Sequence, residues 1–279
     1  MKKISVAFDS LKFSEGTMKY AIELAAASNA LLSGVFLDDF LYHSYTAFDM
    51  MESMGIQGGD IGQLQRQDKE IRQHSIAAFD SACISQQLNY VIHHDKSFAI
   101  EELLKESIYS DLLVIGAGET FKHYKEAVPS AFIRSLLSGT QCPVLVVPDN
   151  YQVTERIILL YDGKPSSVFA IKMFNYMMPW MRGVKTEVIT VKDPKDRPEF
   201  TDDPLIREFI KCHYPNAIYT LLKGDPEEQI PAYLKTTAPQ SLIVMGAYER
   251  SQVSRWFKAS MADILINELA APVFIAHQK

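Results

Sequence analysis

The sequence predicts an α/β protein built from two tandem copies of a doubly wound, parallel five-stranded sheet. Apolar runs alternate with amphipathic stretches along all 279 residues, and the same ordered set of segments occurs twice. The segment 111–118 reads DLLVIGAG and the segment 241–248 reads SLIVMGAY. A helical pattern and a proline-opened apolar run follow each of them. Continuous apolar runs of this length are typical of strands that are covered on both faces.

The beginnings of the two copies also match, and they locate the boundary between the copies. An apolar run ending in aspartate occurs at 4–9 and again at 157–162, where the series starts anew. We therefore predict one domain over 1–149 and a second over 154–279, with a short linker between them. The first copy also carries an insertion near 38–65 that has no counterpart in the second.

The elements alternate between strand and helix throughout each copy. In the first copy, apolar runs predict strands at 3–9, 31–37, 90–94, 111–116 and 143–147. The intervening stretches predict helices at 14–28, 65–88, 98–108 and 129–139. The second copy repeats the pattern, with strands near 156–161, 184–191, 216–222, 241–246 and 272–276 and helices between them. Such alternation implies right-handed crossovers, a parallel sheet, and ligands at the carboxyl ends of its strands.

The composition argues against several classes of protein. A net charge of -6 disfavours a nucleic-acid binder, because such proteins present a basic face to the phosphates. No run approaches the roughly 18 apolar residues of a membrane span, and the first residues lack the apolar core of a signal peptide. The three cysteines are far apart and predict buried thiols rather than disulfides or a zinc site. The cytoplasm is therefore the expected compartment.

The ordered set of landmarks resembles the universal stress protein family. The first strand of each copy ends in Asp9 or Asp162, and the fourth strand ends in Gly116 or Gly246. A helix then begins near a serine, and the last strand opens with Cys-Pro or Ala-Pro. The resemblance implies a Rossmann-like, adenine nucleotide α-hydrolase-like fold and makes ATP or AMP the candidate ligand. The cofactor-binding candidates it implies are Asp9, Gly116, Ser130, Asp162, Gly246 and Ser260.

The phosphate loop of ATP-binding members, G-x-x-G-x₉-G-[S/T], is degenerate in both copies. Glycines in such a loop let the backbone amides approach the phosphates closely. In the first copy Glu119 and Pro129 replace the second and third glycines, and in the second copy Glu249 and Ala259 do so. A carboxylate beside a triphosphate is repulsive, which predicts weak or no ATP binding. A cation bound between the glutamate and the phosphates would reverse this expectation.

Each candidate residue also has a purely structural interpretation. Asp9 and Asp162, at strand ends, either contact an adenosine ligand or cap the following turn. Ser130 and Ser260 either bind phosphate or serve as the N-caps of their helices, and capping alone explains both. The sequence leaves these pairs of interpretations open.

The insertion in the first copy combines acidic and aromatic residues. It contains several Asp, Glu, Phe, Tyr and Met residues. It also lies within a longer stretch, between Lys19 and Arg66, that has no Lys or Arg. Because it follows the second strand, it emerges at the ligand-binding edge of the predicted sheet. We expect the 38–60 segment to form a lid or a surface for a protein partner, or else an apolar flap packed on its own domain.

The predicted function is that of a non-enzymatic stress-response or regulatory protein. No Walker loop, HExxH or GxSxG motif occurs, and no spaced pair of carboxylates indicates catalysis. The resemblance implies self-association through the last strands, so the apolar runs at 143–147 and 272–276 predict a pseudo-dimer within one chain. The alternative is an ATP- or AMP-binding switch or slow ATPase, and a third class is an enzyme of adenylyl or thiol chemistry.

Overall fold

The computed structural model describes residues 1–37, 60–95, 98–121, 126–192, 204–237, 240–246 and 261–277. In the first repeat the strands are β1 Lys3–Asp9, β2 Leu31–Leu37, β3 Tyr90–Asp95, β4 Leu112–Gly116 and β5 Val144–Val147. Its helices are α1 Glu15–Ser28, α2 Asp60–Ser85, α3 Ala99–Ile108 and α4 Ala131–Gly139.

In the second repeat the strands are β6 Arg156–Leu160, β7 Lys185–Lys192, β8 Ile218–Lys223, β9 Ser241–Gly246 and β10 Val273–Ala276. Its helices are α5 Pro165–Met177, α6 Pro204–His213, α7 Pro226–Thr237 and α8 Met261–Glu268, with a short 3₁₀ helix at Pro179–Gly183. None of the helices in these described ranges is long and apolar enough to cross a lipid bilayer.

The ten strands form one sheet in the order β3-β2-β1-β4-β5-β10-β9-β6-β7-β8. Within each repeat all paired strands are parallel, and the order reverses between the first and fourth strands. The prediction of a doubly wound α/β fold with five strands per repeat is therefore confirmed. The structure adds that the two five-stranded halves are continuous with each other. The point of reversal, where ligands of such sheets bind, lies between β1 and β4 and again between β6 and β9.

Local signals in the sequence account for most helix ends. Ser14 caps α1 by accepting a hydrogen bond from the Thr17 amide, and Asn29 ends it in the left-handed conformation. Proline opens α5, α6 and α7, where its missing N–H has no partner to lose. The long second helix begins at Asp60 rather than near residue 65, so its first turn includes Gly62. The rest of the insertion, 38–59, lies outside the described residues.

The two repeats meet where β5 and β10 pair in antiparallel register. Val146 lies opposite Val273 and Leu145 opposite Phe274, so the two predicted apolar runs form the join in the sheet. The Phe274 ring packs edge-on against Phe174, with 5.3 Å between ring centroids. The join is therefore a buried apolar contact that is continuous with the cores of both repeats.

Each repeat also contains a carboxylate network that the sequence did not predict, centred on the half-buried Glu106 in the first and on the buried Glu187 in the second. In the first, Glu106 of α3 accepts hydrogen bonds from Lys3, Ser5 and His93. Burial raises the pKa of Glu106, but the bonds from His93 and Lys3 outweigh it, so the net pKa is lowered. In the second, Glu187 of β7 accepts from Arg156, Thr220 and Tyr233. The carboxylate belongs to a helix in one repeat and to a strand in the other.

The three cysteines are free, but only two of them fit the prediction of buried thiols. Cys83 and Cys142 are buried, and burial raises their pKa to about 12 and about 11. Cys212 is exposed on α6, so the prediction is wrong for that residue. The buried residues of α6, Ile206 and Ile210, lie on the side of the helix opposite Cys212.

We expect Phe274→Ala to lower the free energy of unfolding by about 3–5 kcal/mol, since it leaves a cavity at the join between the repeats. The fully buried ring contacts residues of both halves of the sheet. Urea unfolding followed by circular dichroism measures the change. The control is Ile218→Ala on β8, where the side chain is 58% exposed and the expected change is within about 0.5 kcal/mol. Equal losses in the two variants would contradict this account of the join.

Candidate functional site

The candidate site of the first repeat is a cavity of about 390 Å³ at the carboxyl ends of β1 and β4. This is the point where the strand order reverses. The loops after both strands, the beginning of α1 and the residue Asp149 after β5 form its walls. The ionisable residues that line the cavity are Asp9, Lys12, Glu15, Glu119 and Asp149. Four carboxyl groups therefore face one ammonium group.

Asp9 serves the turn that follows β1. Its side chain is only 1% exposed, and its Oδ1 accepts hydrogen bonds from the amides of Leu11 at 2.8 Å and Lys12 at 3.2 Å. The main-chain N–H of Asp9 donates to the carboxyl group of Glu119. The capping role that the sequence offered for Asp9 is thus present in the structure, and the same residue lines the cavity.

Glu119, which stands at the second glycine position of the loop pattern, is folded into the protein. It is 7% exposed, and a Cβ placed on Gly116 would lie 3.4 Å from its Oε1. Burial, followed by the charges of Asp9 and Asp149, raises the pKa of this carboxyl group well above its usual value. Lys12 and the Asp9 amide oppose the shift without cancelling it. These surroundings favour the protonated carboxyl group, and the Glu119 side chain fills the space beside Gly116.

Ser130 is the N-cap of α4, and both functions of its hydroxyl group are used. The hydroxyl accepts a hydrogen bond from the Ile133 amide at 3.2 Å and donates one to the Glu119 carbonyl at 2.6 Å. These bonds tie the beginning of the helix to the loop that carries Glu119. Of the two interpretations left open, the capping of α4 is what the structure contains.

Asp149 completes the cavity by passing close to the start of α1. A Cβ on Gly16 would approach the Asp149 carbonyl oxygen to 1.8 Å, so only glycine fits at that position. Sequence reasoning missed Lys12, Gly16 and Asp149 as site residues. A signal for Asp149 existed, because it follows the last strand of the repeat directly and parallel strands end at one edge.

The second repeat is more open at the corresponding position. Asp162 is 55% exposed at its side chain, with Oδ1 accepting from the Lys164 amide and Oδ2 lying 3.7 Å from the Lys164 Nζ. Gly163 between them has φ +80°, a conformation that favours glycine. A Cβ on Gly246 would lie 2.5 Å from the Ser166 carbonyl, so β9 ends in close contact with α5. Ser260, Glu249 and Ala259 lie outside the described residues.

The comparisons with known proteins identify the fold. No family model matches the sequence, and no curated protein matches it. Among solved structures, a universal stress protein from Archaeoglobus fulgidus superposes with a TM-score of 0.72 at 13% identity. The match covers 99% of this chain and 98% of that protein. This chain has the universal stress protein fold.

Two further solved structures extend the comparison. A universal stress protein from Pseudomonas aeruginosa UCBPP-PA14 matches 99% of this chain and 92% of its own length, with a TM-score of 0.60 and 14% identity. The cytoplasmic domain of a prokaryotic cation chloride cotransporter matches 99% of this chain and 95% of its own length, with a TM-score of 0.54 and 7% identity. Because the universal stress protein fold occurs in chains of such different kinds, the residues of the site must supply the argument about function.

Within the universal stress protein fold, the first site of this chain is acidic where a phosphate would need positive charge. Among the described residues that line the cavity, Lys12 is the single basic one. In the described part of the chain, no group of three or more His, Cys, Asp or Glu residues has the arrangement to hold a metal ion.

Replacing Glu119 with glutamine is expected to weaken the pH dependence of folding stability. The native state keeps a proton that the unfolded chain releases, so wild-type stability falls as pH rises from about 4.5 to the raised native pKa. The slope is at most about 1.4 kcal/mol per pH unit for one such group. Urea unfolding between about pH 5 and pH 8 measures it. The exposed Glu70→Gln is the control, and a Glu119→Gln profile parallel to the wild type would contradict the assignment.

We expect Gly246→Ala to destabilise the protein by about 1–3 kcal/mol, because the new methyl group meets main-chain atoms of Ser166 and Ser167 that cannot turn away. The matched control is Gly183→Ala, where a Cβ has nothing within 4 Å. Thermal and urea unfolding compare the two variants. A Gly246→Ala protein as stable as the control would show that β9 and α5 are not in such close contact.

Proposed function

We propose that this chain is a non-catalytic stress-response or regulatory protein whose first repeat does not hold the phosphates of ATP. The observation that carries the proposal is the buried Glu119, which lies beside Gly116 at the reversal point of the sheet. In a phosphate loop this space must admit the ligand to backbone amides. Here a carboxyl side chain fills it.

The electrostatics of the cavity support the same conclusion. A nucleotide triphosphate would bring several negative charges to a site whose described lining holds Asp9, Glu15, Glu119 and Asp149. Lys12 is the one basic residue in that described lining. It would also have to displace Glu119, whose raised pKa reflects how poorly the surroundings tolerate a further negative charge. Binding would therefore require the loop to be remodelled.

The pairing of β5 with β10 supports a regulatory unit that acts as a fused pseudo-dimer. The two last strands are paired with each other inside one chain, and Arg134 of α4 forms an ion pair with Asp263 of α8 at 3.3 Å across the join. Domains at 1–149 and 154–279 would then correspond to the two partners of a dimer. In this proposal the protein works in the cytoplasm, through contacts with other molecules rather than through chemistry.

A second candidate function, an ATP- or AMP-binding switch or slow ATPase, is favoured by one observation in the second repeat. Asp162 is exposed, the glycine after it has a positive φ, and Lys164 brings a positive charge beside it. In the first repeat Asp9 is buried and is followed by Ser10 rather than by glycine. A nucleotide that binds this chain would on this argument bind the second repeat.

Isothermal titration of the full chain with ATP and AMP, each with and without Mg²⁺, tests both candidates. For the first we expect no saturable heat up to about 1 mM nucleotide, a concentration that corresponds to a binding free energy near -4 kcal/mol. Release of phosphate from ATP is followed in parallel, and we expect none above the rate in buffer.

Two matched variants assign any binding that does occur. Asp9→Ala alters the first site and Asp162→Ala the second, at corresponding strand ends. Binding that disappears in Asp9→Ala would overturn the proposed function. Binding that survives in Asp9→Ala and disappears in Asp162→Ala would establish the second candidate in its place.

A further inference from the structure

A groove between α5 and α6 of the second repeat forms a cavity of about 820 Å³. The turn of Gly163, Lys164 and Pro165 closes one end. Aromatic rings dominate its walls, and those that line it belong to Tyr161, Phe169, Tyr176, Phe209 and His213. A cavity of this size and apolar character is typical of small-molecule sites.

The charge of the groove is opposite to that of the protein. The chain carries a net charge of -6, yet Lys164 and Lys172 line the groove and no Asp or Glu is among the described residues that do. Both lysines are exposed, so their ammonium groups can move toward a ligand without disturbing the core. An anion is therefore the kind of ligand that the groove attracts.

His213 presents a fixed hydrogen-bond donor in this groove. Arg182 donates from Nε to the Asn175 Oδ1 at 3.2 Å, which orients the amide so that its nitrogen donates to His213 Nδ1 at 2.8 Å. The imidazole proton is therefore on Nε2. Burial, Arg182 and Lys172 lower the pKa of His213, which keeps the ring neutral. The ring is held between Phe209 and Tyr176, with centroid distances of 4.8 and 5.9 Å.

The corresponding groove of the first repeat, between α1 and α2, is lined by an aromatic ring of the linker. Tyr151 of the linker packs on Tyr20, with 4.7 Å between the ring centroids, and Lys19 Nζ lies 4.5 Å from the centre of the Tyr151 ring. The Tyr151 hydroxyl donates to Glu23. This groove thus accepts a flat ring beneath a lysine, and the linker of the chain itself provides that ring.

We propose that the groove between α5 and α6 binds a small aromatic anion, a planar ring system that carries a carboxylate or similar group. The ring would lie against Phe209 and Tyr176, as Tyr151 lies in the first repeat. The anionic group would meet Lys172 and Lys164. The proposal does not depend on the proposed function, because it does not use the cavity of Glu119. It shares Lys164 with the ion pair to Asp162 at the end of β6.

Fluorescence and calorimetric titration of the full chain with 2-naphthoate test this proposal. We expect saturable binding that weakens with added salt, and binding of the neutral 2-naphthamide that is at least about tenfold weaker. Lys172→Gln should weaken naphthoate binding about fivefold, as expected for a partly exposed charge pair. Tyr176→Ser removes an exposed ring and should also weaken it.

The matched control is Lys19→Gln, which removes the lysine of the first groove and should leave naphthoate binding unchanged. Thermal unfolding of each variant checks that the fold is intact, which the exposure of both lysines favours. Absence of saturable binding would overturn the proposal. So would equal binding of the neutral amide, or equal losses in Lys172→Gln and Lys19→Gln.

Discussion

The antiparallel pairing of β5 and β10 is the interaction on which the rest of this structure depends. Without it, each repeat would present the open edge of a five-stranded parallel sheet, lined with unpaired main-chain groups. With it, ten strands become one sheet, and the apolar side chains of both repeats share common core clusters on its two faces. The linker between the repeats is short, so the pairing is intramolecular and has a high effective concentration. The sites of both repeats are fixed relative to this join.

The two repeats keep the same scaffold but place charge differently at the strand ends. The first gathers carboxyl groups around Glu119 and seals the start of α1 with Asp149. The second leaves Asp162 exposed and places Lys164 beside it. Duplication of a fold preserves core packing because that packing is needed twice. It does not preserve a ligand site unless both copies of the site are used.

The scaffold could be predicted from the sequence because it depends on local patterns that occur twice. Apolar runs ending in Asp or Gly located the strands to within about one or two residues, and Ser14 and Ser130 marked helix starts. The site could be predicted only in part. The sequence shows that Glu119 replaces a glycine of the loop pattern. Its burial beside Asp9 and Asp149 depends on residues that are far apart in the chain. The linker ring of Tyr151 on α1 is likewise a tertiary contact without a sequence pattern.

The network carboxylate belongs to a helix in the first repeat and to a strand in the second, which limits which helix can pack on which half of the sheet. In the first repeat, Glu106 of α3 accepts hydrogen bonds from Lys3 and His93 on the strands beneath it. In the second repeat, Glu187 lies on β7 and accepts a hydrogen bond from Tyr233 of α7. Placing α7 on the first sheet would leave Lys3 without a carboxylate partner. Placing α3 on the second sheet would bring the carboxylates of Glu106 and Glu187 together. Each helix therefore matches the charges of its own sheet, and neither could replace the other without leaving a charge unpaired or two like charges in contact.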